Sequence, residues 1–450
     1  MTLMKRFRAW TLSGGPVATL VWTVLFLLRS QTGMADTTST TLSADQVSAY
    51  IADKTLLRAE KQTRIKQFGD KATLPRRESK TFQYTRYEYL ALPTSTLSEG
   101  VTPASTQMSV ATVSAVVEQW GQVVVLTDVV ELTIKHSALQ KGTELLGEAA
   151  AQTVDREAQE ILLAGTNIQY ANAKSSRANL LATDVMSSTE VRKVTANLRN
   201  NGARAQDEGD DHLFGVFDPS VEADLSADTT FVNAASYSSI KNLRNMEIGS
   251  WLGVRWVRSN FLYTFLGVAS SDYAIVDVAT GGSIAQTTTV YVVVTGVNST
   301  TGFEERIYQQ ASVTTATDGL STHKVTVTAP STSGYTYNVY AGTTSGTTYQ
   351  VTTGIAASGT YDITSVPSSG TTNPPIPGTG VTVHVSWVFG KEAFTVIELD
   401  GMSLQTYITP KGASDSDPLA QRRKIGWKLM WKALITNNNF FRRVESGSAY

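Results

Sequence analysis

Apolar residues recur at two different periods along this chain of 450 residues, and the alternation between those periods divides it into segments. From residue 42 to about 71, Val47, Ile51, Leu56, Leu57 and Ile65 make one narrow stripe on an otherwise polar helical stretch. Such an arm buries little by itself and needs a neighbour to lie on. Phe82, Tyr84, Tyr87, Tyr89 and Leu90 then form an aromatic, strand-like run. A polar tip carrying the breakers Pro93, Gly100 and Pro103 follows, and the chain returns through a valine-rich stretch at 108–128. This pattern predicts a long two-stranded loop with a flexible end.

The period then lengthens to that of a helix. Leu139, Leu146, Ala150, Val154, Ala158, Ile161 and Leu162 recur at helical spacings, with acids on most other faces and Gly165 as a stop. A helix over 129–163 would span about 50 Å and act as a strut. A second helix is expected at 189–204, behind Ser187 or Ser188 as a cap. Residues 212–265 read as short strands and helices in alternation, with strands in HLFGVFDP and GVRWVRSNF and a helix in SYSSIKNLRN.

From 281 to 372 the text changes abruptly. Its six charged residues are Glu304, Glu305, Arg306, Asp318, Lys324 and Asp362, and threonine dominates the remainder. Short β-runs recur at the spacing of a sandwich of the immunoglobulin or fibronectin type. Pro374, Pro375 and Pro377 mark an exit linker at 373–380. Strand-like text resumes at 381, so the sandwich reads as an insertion into a host domain, at a loop facing outward. The C-terminal stretch, with Ile425, Leu429, Met430 and Leu434 as its apolar side, reads as an amphipathic helix.

Lys5, Arg6 and Arg8 before an apolar run at 17–28 outline a secretory signal, too short to span a bilayer. Met34 also opens an ordinary soluble start, and a mis-called start is the favoured reading of 1–33. The whole chain carries 38 basic and 39 acidic residues, a net −1. Without 1–33, which hold four basic residues and no acids, the remainder carries −5. That balance argues against a mainly electrostatic nucleic-acid binder. With no cysteine and four histidines (His136, His212, His323 and His384), thiolate chemistry is excluded and a histidine metal site has little to draw on.

No phosphate loop, zinc-protease helix or nucleophile elbow is present. The acidic run at 207–211 lacks the spacing of a calcium loop and reads as a solvated turn. The expected catalytic, cofactor and metal sites are therefore none. Asp155, Arg156 and Glu157 read as helix-face ion pairs, within the chain or across a subunit contact. Arg422, Arg423, Lys424, Lys428 and Lys432, near Trp427 and Trp431, read as a solvated or ion-pairing basic face, with DNA contact as the second reading.

The order of segments carries more than any one motif. LSEGVTPA, EQWGQVVVLTD, TVDREAQEILLAG, GSWLGVRWVRSN, VFGKEAFTVIELDG and SDPLAQRRKIGWKLMWKALITNNNFFRRVES follow one another behind an N-terminal arm. In that order they resemble a major capsid protein of tailed double-stranded-DNA bacteriophages, of the podovirus-type branch, from about 34 to 446 apart from the sandwich.

The resemblance implies an α+β tailed-phage capsid fold with an inserted all-β sandwich. Its parts would be an arm at 34–70, an extended loop at 75–127, and a peripheral domain with a spine helix at 128–210. The axial domain and C-terminal helix would take 211–280 and 381–446, and the sandwich 281–372. It implies a structural subunit, not an enzyme, that forms hexamers and pentamers of an icosahedral head, assembled in the bacterial cytoplasm and residing in the virion. The implied partners are other copies, scaffolding, portal and decoration proteins, packaged DNA, and host-surface glycans for the sandwich, with no membrane and no cofactor. Inter-subunit contacts are expected at Phe82, Tyr84, Tyr87, Tyr89, Glu99, Asp155 and Arg156. The competing reading is a secreted bacterial surface or adhesin protein, resting on the signal-like start and the sandwich.

Overall fold

A computed structural model describes residues 64–450 apart from 78, 88–89, 95, 98, 101, 103–104, 134–137, 207–208, 210, 229–246, 410–418 and 420. The leader, most of the arm, Tyr89, His136 and the helix expected at 236–245 lie outside the described residues.

A 3-10 turn at Lys66–Phe68 leads into β1 (Asp70–Leu74). An antiparallel ribbon follows, β2 (Thr81–Tyr87) against β3 (Val110–Val116), and the chain runs on as β4 (Glu118–Thr127). Next come α1 (Asp128–Thr133), α2 (Ala138–Leu163), β5 (Ile168–Tyr170), α3 (Ser188–Asn200), β6 (Leu213–Phe217) and α4 (Pro219–Ala227). Strands β7 (Glu247–Trp251), β8 (Val254–Arg258) and β9 (Thr264–Val268) complete the first half of the body. Eight strands then build a sandwich: β10 (Ala274–Val278), β11 (Thr289–Asn298), β12 (Glu304–Tyr308), β13 (Ala311–Thr314), β14 (Lys324–Thr328), β15 (Tyr335–Thr344), β16 (Thr347–Ile355) and β17 (Thr360–Ile363). The body resumes with β18 (Thr382–Phe389), β19 (Phe394–Leu399), β20 (Gln405–Thr409), β21 (Arg422–Ile435) and β22 (Phe441–Ser446). The fold is α+β, with strands in the majority among the described residues.

Helix α2 forms because Leu146, Ala150, Val154, Ala158 and Leu162 stand four apart and all are buried. Its 26 residues span about 39 Å, so the described strut is shorter than the continuous 129–163 helix expected. It ends where the chain must pass Phe441, since a Cβ at Gly165 would lie 2.3 Å from that ring. Helix α3 stops four residues earlier than expected. Ala203 N–H reaches Leu198 O at 2.9 Å over Gly202, whose φ of 81° closes a left-handed cap. Asp218 caps α4 through Val221 N–H at 2.9 Å, with Pro219 in the first turn.

The C-terminal amphipathic helix is not there: residues 422–435 are the long strand β21. Ile425, Trp427, Leu429, Trp431 and Ala433 alternate strictly and are buried against Leu146, Ala150 and Val154 of α2. That is a period of two, carried by residue types suited to strands. Reading Ile425 with Leu429, and Met430 with Leu434, picked out a spacing of four that any alternating run also contains. One edge of β21 pairs with β4 over ten residues, and the other is shared by β20 and β19.

In the larger sheet, β9 and β18 flank the sandwich in sequence and pair antiparallel with each other, Leu266 opposite Thr382. Strand β12 then pairs parallel with β9 from Arg306↔Leu266 to Tyr308↔Val268, so the sandwich sheet continues into the body sheet. The second sandwich layer is β10-β14-β17, and the two layers enclose Val290, Val292, Val294, Tyr308, Val325, Val327 and Tyr337. Ala274–Val278, expected in the body, thus belongs to the sandwich, because its partner is Lys324–Thr328.

Because β21 is a strand, its faces are separable by single substitutions. Leu429→Glu, on the buried face, is expected to leave little soluble folded protein. Lys428→Glu, one residue away, should keep a melting temperature close to that of the parent chain, as read by thermal denaturation.

Candidate assembly surfaces

The β2–β3 ribbon has two unequal faces. Phe82 and Ala115 pack, together with Met430 and Leu434 of the chain's own β21, against a small core of Leu74, Val117 and Ile397. Tyr84 is half-buried, and its hydroxyl is held above the ordinary tyrosine range by burial, then by Glu392 and Asp70. Phe82 and Tyr84, expected against a neighbouring subunit, thus lean on their own body, because the same aromatic face closes the end of the five-stranded sheet. Further out the chain is open: Tyr87, Leu90, Leu92, Leu97 and Met108 are exposed, Leu92 at 85%. Glu99 is exposed at the tip of the loop.

The same side of the sheet is uncovered beyond the ribbon. Val123, Val125 and Tyr407 are about half exposed or more, and Lys424 is exposed beside them. Val123, Tyr407 and Lys424 border a shallow depression of about 500 Å³ that also includes Gly121, Gly426 and Lys428. The basic cluster is therefore divided along β21: Lys424, Lys428 and Lys432 share this face, and Lys432 is paired with Glu118 at 2.9 Å. Arg422 lies on the same face at the strand end, and Arg423 points to the other side.

Asp155 and Arg156 do their work inside the chain. Asp155 is buried and accepts backbone N–H groups from Arg64 at 2.6 Å, Ile65 at 3.2 Å and Lys66 at 3.3 Å. It clasps the end of the arm to the spine helix. Burial pushes its carboxyl up to about 6, against the three N–H groups and the Arg64 charge. Arg156 reaches Glu157 at 3.2 Å and Glu160 at 3.6 Å, and its guanidinium lies where a Cβ on Gly302 of the sandwich would fall. Burial, then Glu157, raises Glu160 to about 7. The helix-face pairing of Arg156 is present; Asp155 instead serves as a cap, which helical spacing alone does not distinguish.

Sequence reading missed the residues that fix the sandwich. Arg177 donates to both oxygens of buried Glu445, at 2.7 and 2.6 Å, and to the Pro375 carbonyl at 3.1 Å. Its guanidinium also stacks 3.5 Å over Phe265. Gln159 of α2 holds Phe261 O and Tyr263 N–H, each at 2.8 Å, and Tyr263 hydroxyl donates to Glu304 O at 2.7 Å. These partners are 41 to 268 positions apart, so no local pattern announces them. His384 is buried with its Nδ1 against Asp218, the cap of α4, which gives it a structural partner. Arg199 meets Asp211 at 3.1 Å in the acidic turn.

Among the described residues no group of His, Asp or Glu is arranged to hold a metal ion, and no helix is long and apolar enough to cross a membrane.

An arm clasped to a strut, a projecting apolar ribbon and an open sheet face define a protein built to be covered by others. Residues 110–325 match the family model described as phage capsid protein. That match, over just under half of the chain, supports a structural major capsid protein of a phage head, with its place in the virion capsid. No curated protein matches the sequence. Solved structures similar to the chain include the capsid of cyanophage P-SCSP1u, at 14% identity over 84% of this chain and 90% of that one, with a TM-score of 0.43. The capsid of Ralstonia phage GP4 is similar at 9% identity over 87% and 92%, TM-score 0.49. The head of Helicobacter pylori bacteriophage KHP40 is similar at 9% over 83% and 86%, TM-score 0.42.

Asp155→Ala should destabilise the chain by about 1–3 kcal/mol, because three partly buried amide donors lose their acceptor. The raised carboxyl also sets a sign. The native state takes up this proton at higher pH than the unfolded chain, so its contribution to stability grows as pH falls from about 6 toward 4. Denaturant titrations of the parent and Asp155→Asn across that range should diverge in that direction.

Proposed function

We propose that copies of this chain assemble into hexamers and pentamers of an icosahedral shell around double-stranded DNA, with no enzymatic activity of their own. The observation that carries this is the pair of apolar surfaces left open in one chain: the outer ribbon at Leu90, Leu92, Leu97 and Met108, and the sheet face at Val123, Val125 and Tyr407. Each is more apolar than a surface facing water should be, and a neighbouring copy supplies the missing cover. Many such contacts, individually weak, add through multivalency.

In this reading 34–70 is the arm, 75–127 the extended loop, and 128–210 the peripheral domain carrying α2. The axial domain is formed by 211–273 with 381–446, and the sandwich is an inserted immunoglobulin-like module facing outward. Tyr87 and Glu99 remain contact residues on the loop, joined by Leu92 and Leu97. Lys424 and Lys428 are assigned to ion pairs with an acidic neighbour, with packaged DNA as the other candidate. The podovirus-type branch, the scaffolding, portal and decoration partners, and glycan attachment through the sandwich belong to the same proposal.

Deletion of residues 94–107, and separately Val125→Lys, should leave the chain folded by circular dichroism but remove rapidly sedimenting shells. Shells at parental yield in both variants would sink the reading.

A further inference from the structure

The sandwich buries a histidine. His323 is fully enclosed, just before β14, with both ring nitrogens against carboxylates. Its Nδ1 lies 2.9 and 3.1 Å from the two oxygens of Asp277 on β10, and its Nε2 lies 3.0 Å from Asp318 in the loop between β13 and β14. A neutral imidazole has one N–H, so it satisfies one carboxylate and turns a lone pair toward the other; only the imidazolium donates to both.

The two acids are themselves wired to the loop. Asp277 accepts Ala316 N–H at 2.9 Å and Asp318 accepts Leu320 N–H at 2.9 Å. Gly319 N–H reaches Gln286 at 2.7 Å, and Thr322 hydroxyl reaches Ala279 O at 2.9 Å. His323's own backbone is pinned separately, by paired bonds with Ile284 at 3.0 and 3.1 Å. The backbone is therefore a fixed post, and the ring is the catch. Strand β11 runs ten residues from Thr289, which faces Thr314 at this end, to Asn298 beside Phe303 at the spine helix. Six residues of β11 separate Thr289 from Thr295, which pairs with Ile307 where β12 joins β9, so the loop stands about 20 Å along the strands from that junction with the body.

We propose that His323 is a pH-operated latch on the distal loop of the sandwich, holding residues 316–321 against β10 when charged and loosening them when neutral, while Thr315 and Thr322 stay tied by backbone bonds to Thr288 and Gly282. The charged groups acting on the ring are Asp318 and Asp277; the next pair along the strands, Lys324 and Asp362, is closed on itself at 2.7 Å. Asp318 and then Asp277 hold the imidazolium above the ordinary histidine range, with desolvation opposing them. A raised pKa in the latched state means that latching is strongest below the free value of about 6.5. It weakens as pH rises through the latched value. Exposed Leu320 and the left-handed Gly319 belong to this loop, so the surface it presents changes with pH while the sandwich core does not.

Hydrogen–deuterium exchange of the full chain, corrected for intrinsic rates, tests this at amides 316–320. Their opening should grow by up to about tenfold per pH unit above pH ~6.5 and then level off. The turn at 345–346 should show no such change. His323→Gln should abolish the dependence. Asp318→Asn, a surface change that spares the core, should shift it to lower pH. A parent chain with flat exchange, a His323→Gln variant that keeps the dependence, or an Asp318→Asn variant with an unmoved window would each overturn the latch.

Discussion

Strand β21 can bury only one of its faces, and much of the molecule follows from that constraint. Its odd positions carry Ile425, Trp427, Leu429, Trp431 and Ala433, which lock onto the small and branched side chains of α2. Its even positions then have to face away. Near the strand's end Met430 and Leu434 share a small core with Phe82 and Ala115 of the ribbon base. Near its start nothing among the described residues does, and Lys424 stands exposed beside Val123, Val125 and Tyr407. The sheet is therefore finished at one end within the chain and open at the other. A capsid subunit requires this combination: a core stable enough to fold alone, and a face whose burial awaits a neighbour.

The sandwich is attached under a different constraint. An insertion held by two flexible strands would swing. Here β9 and β18 pair with each other at the point of entry and exit, and β12 extends that ladder into the sandwich. The buried Arg177–Glu445 pair then ties the exit linker at Pro375 to the C-terminal strand. A buried ion pair is weak evidence of stability but a strong determinant of geometry, since Glu445 fixes the guanidinium and a shifted linker would take the Pro375 carbonyl away from it. The module is an extension of the body sheet.

Much of this was legible in the residues. The four-spaced row on α2, the aromatic ribbon and the threonine-rich β-runs each obey one period, and local periodicity is what a single sequence reports best. The error at β21 has the same origin. Alternating apolar residues at 425, 427, 429 and 431 also contain a spacing of four, and the lysines between them imitate a polar helix face. The alternation itself, with two tryptophans, was the signal to follow. Asp155 was legible as a polar residue on the helix but not as the cap of a turn ninety residues upstream. Nor could Arg177 be matched to Glu445, because their meeting is a product of topology. The start of the sandwich at Ala274 was hidden for a similar reason: strand text looks alike on either side of a domain boundary, and only its partner, β14, decides the side.

In the shell proposed above, the open surfaces of one chain close against copies of itself. Electron microscopy of the purified full-length chain, with sedimentation velocity on the same sample, tests it most directly. Closed icosahedral particles with hexameric and pentameric units of a single polypeptide are expected. A population that stays monomeric across protein concentration, ionic strength and crowding would contradict it.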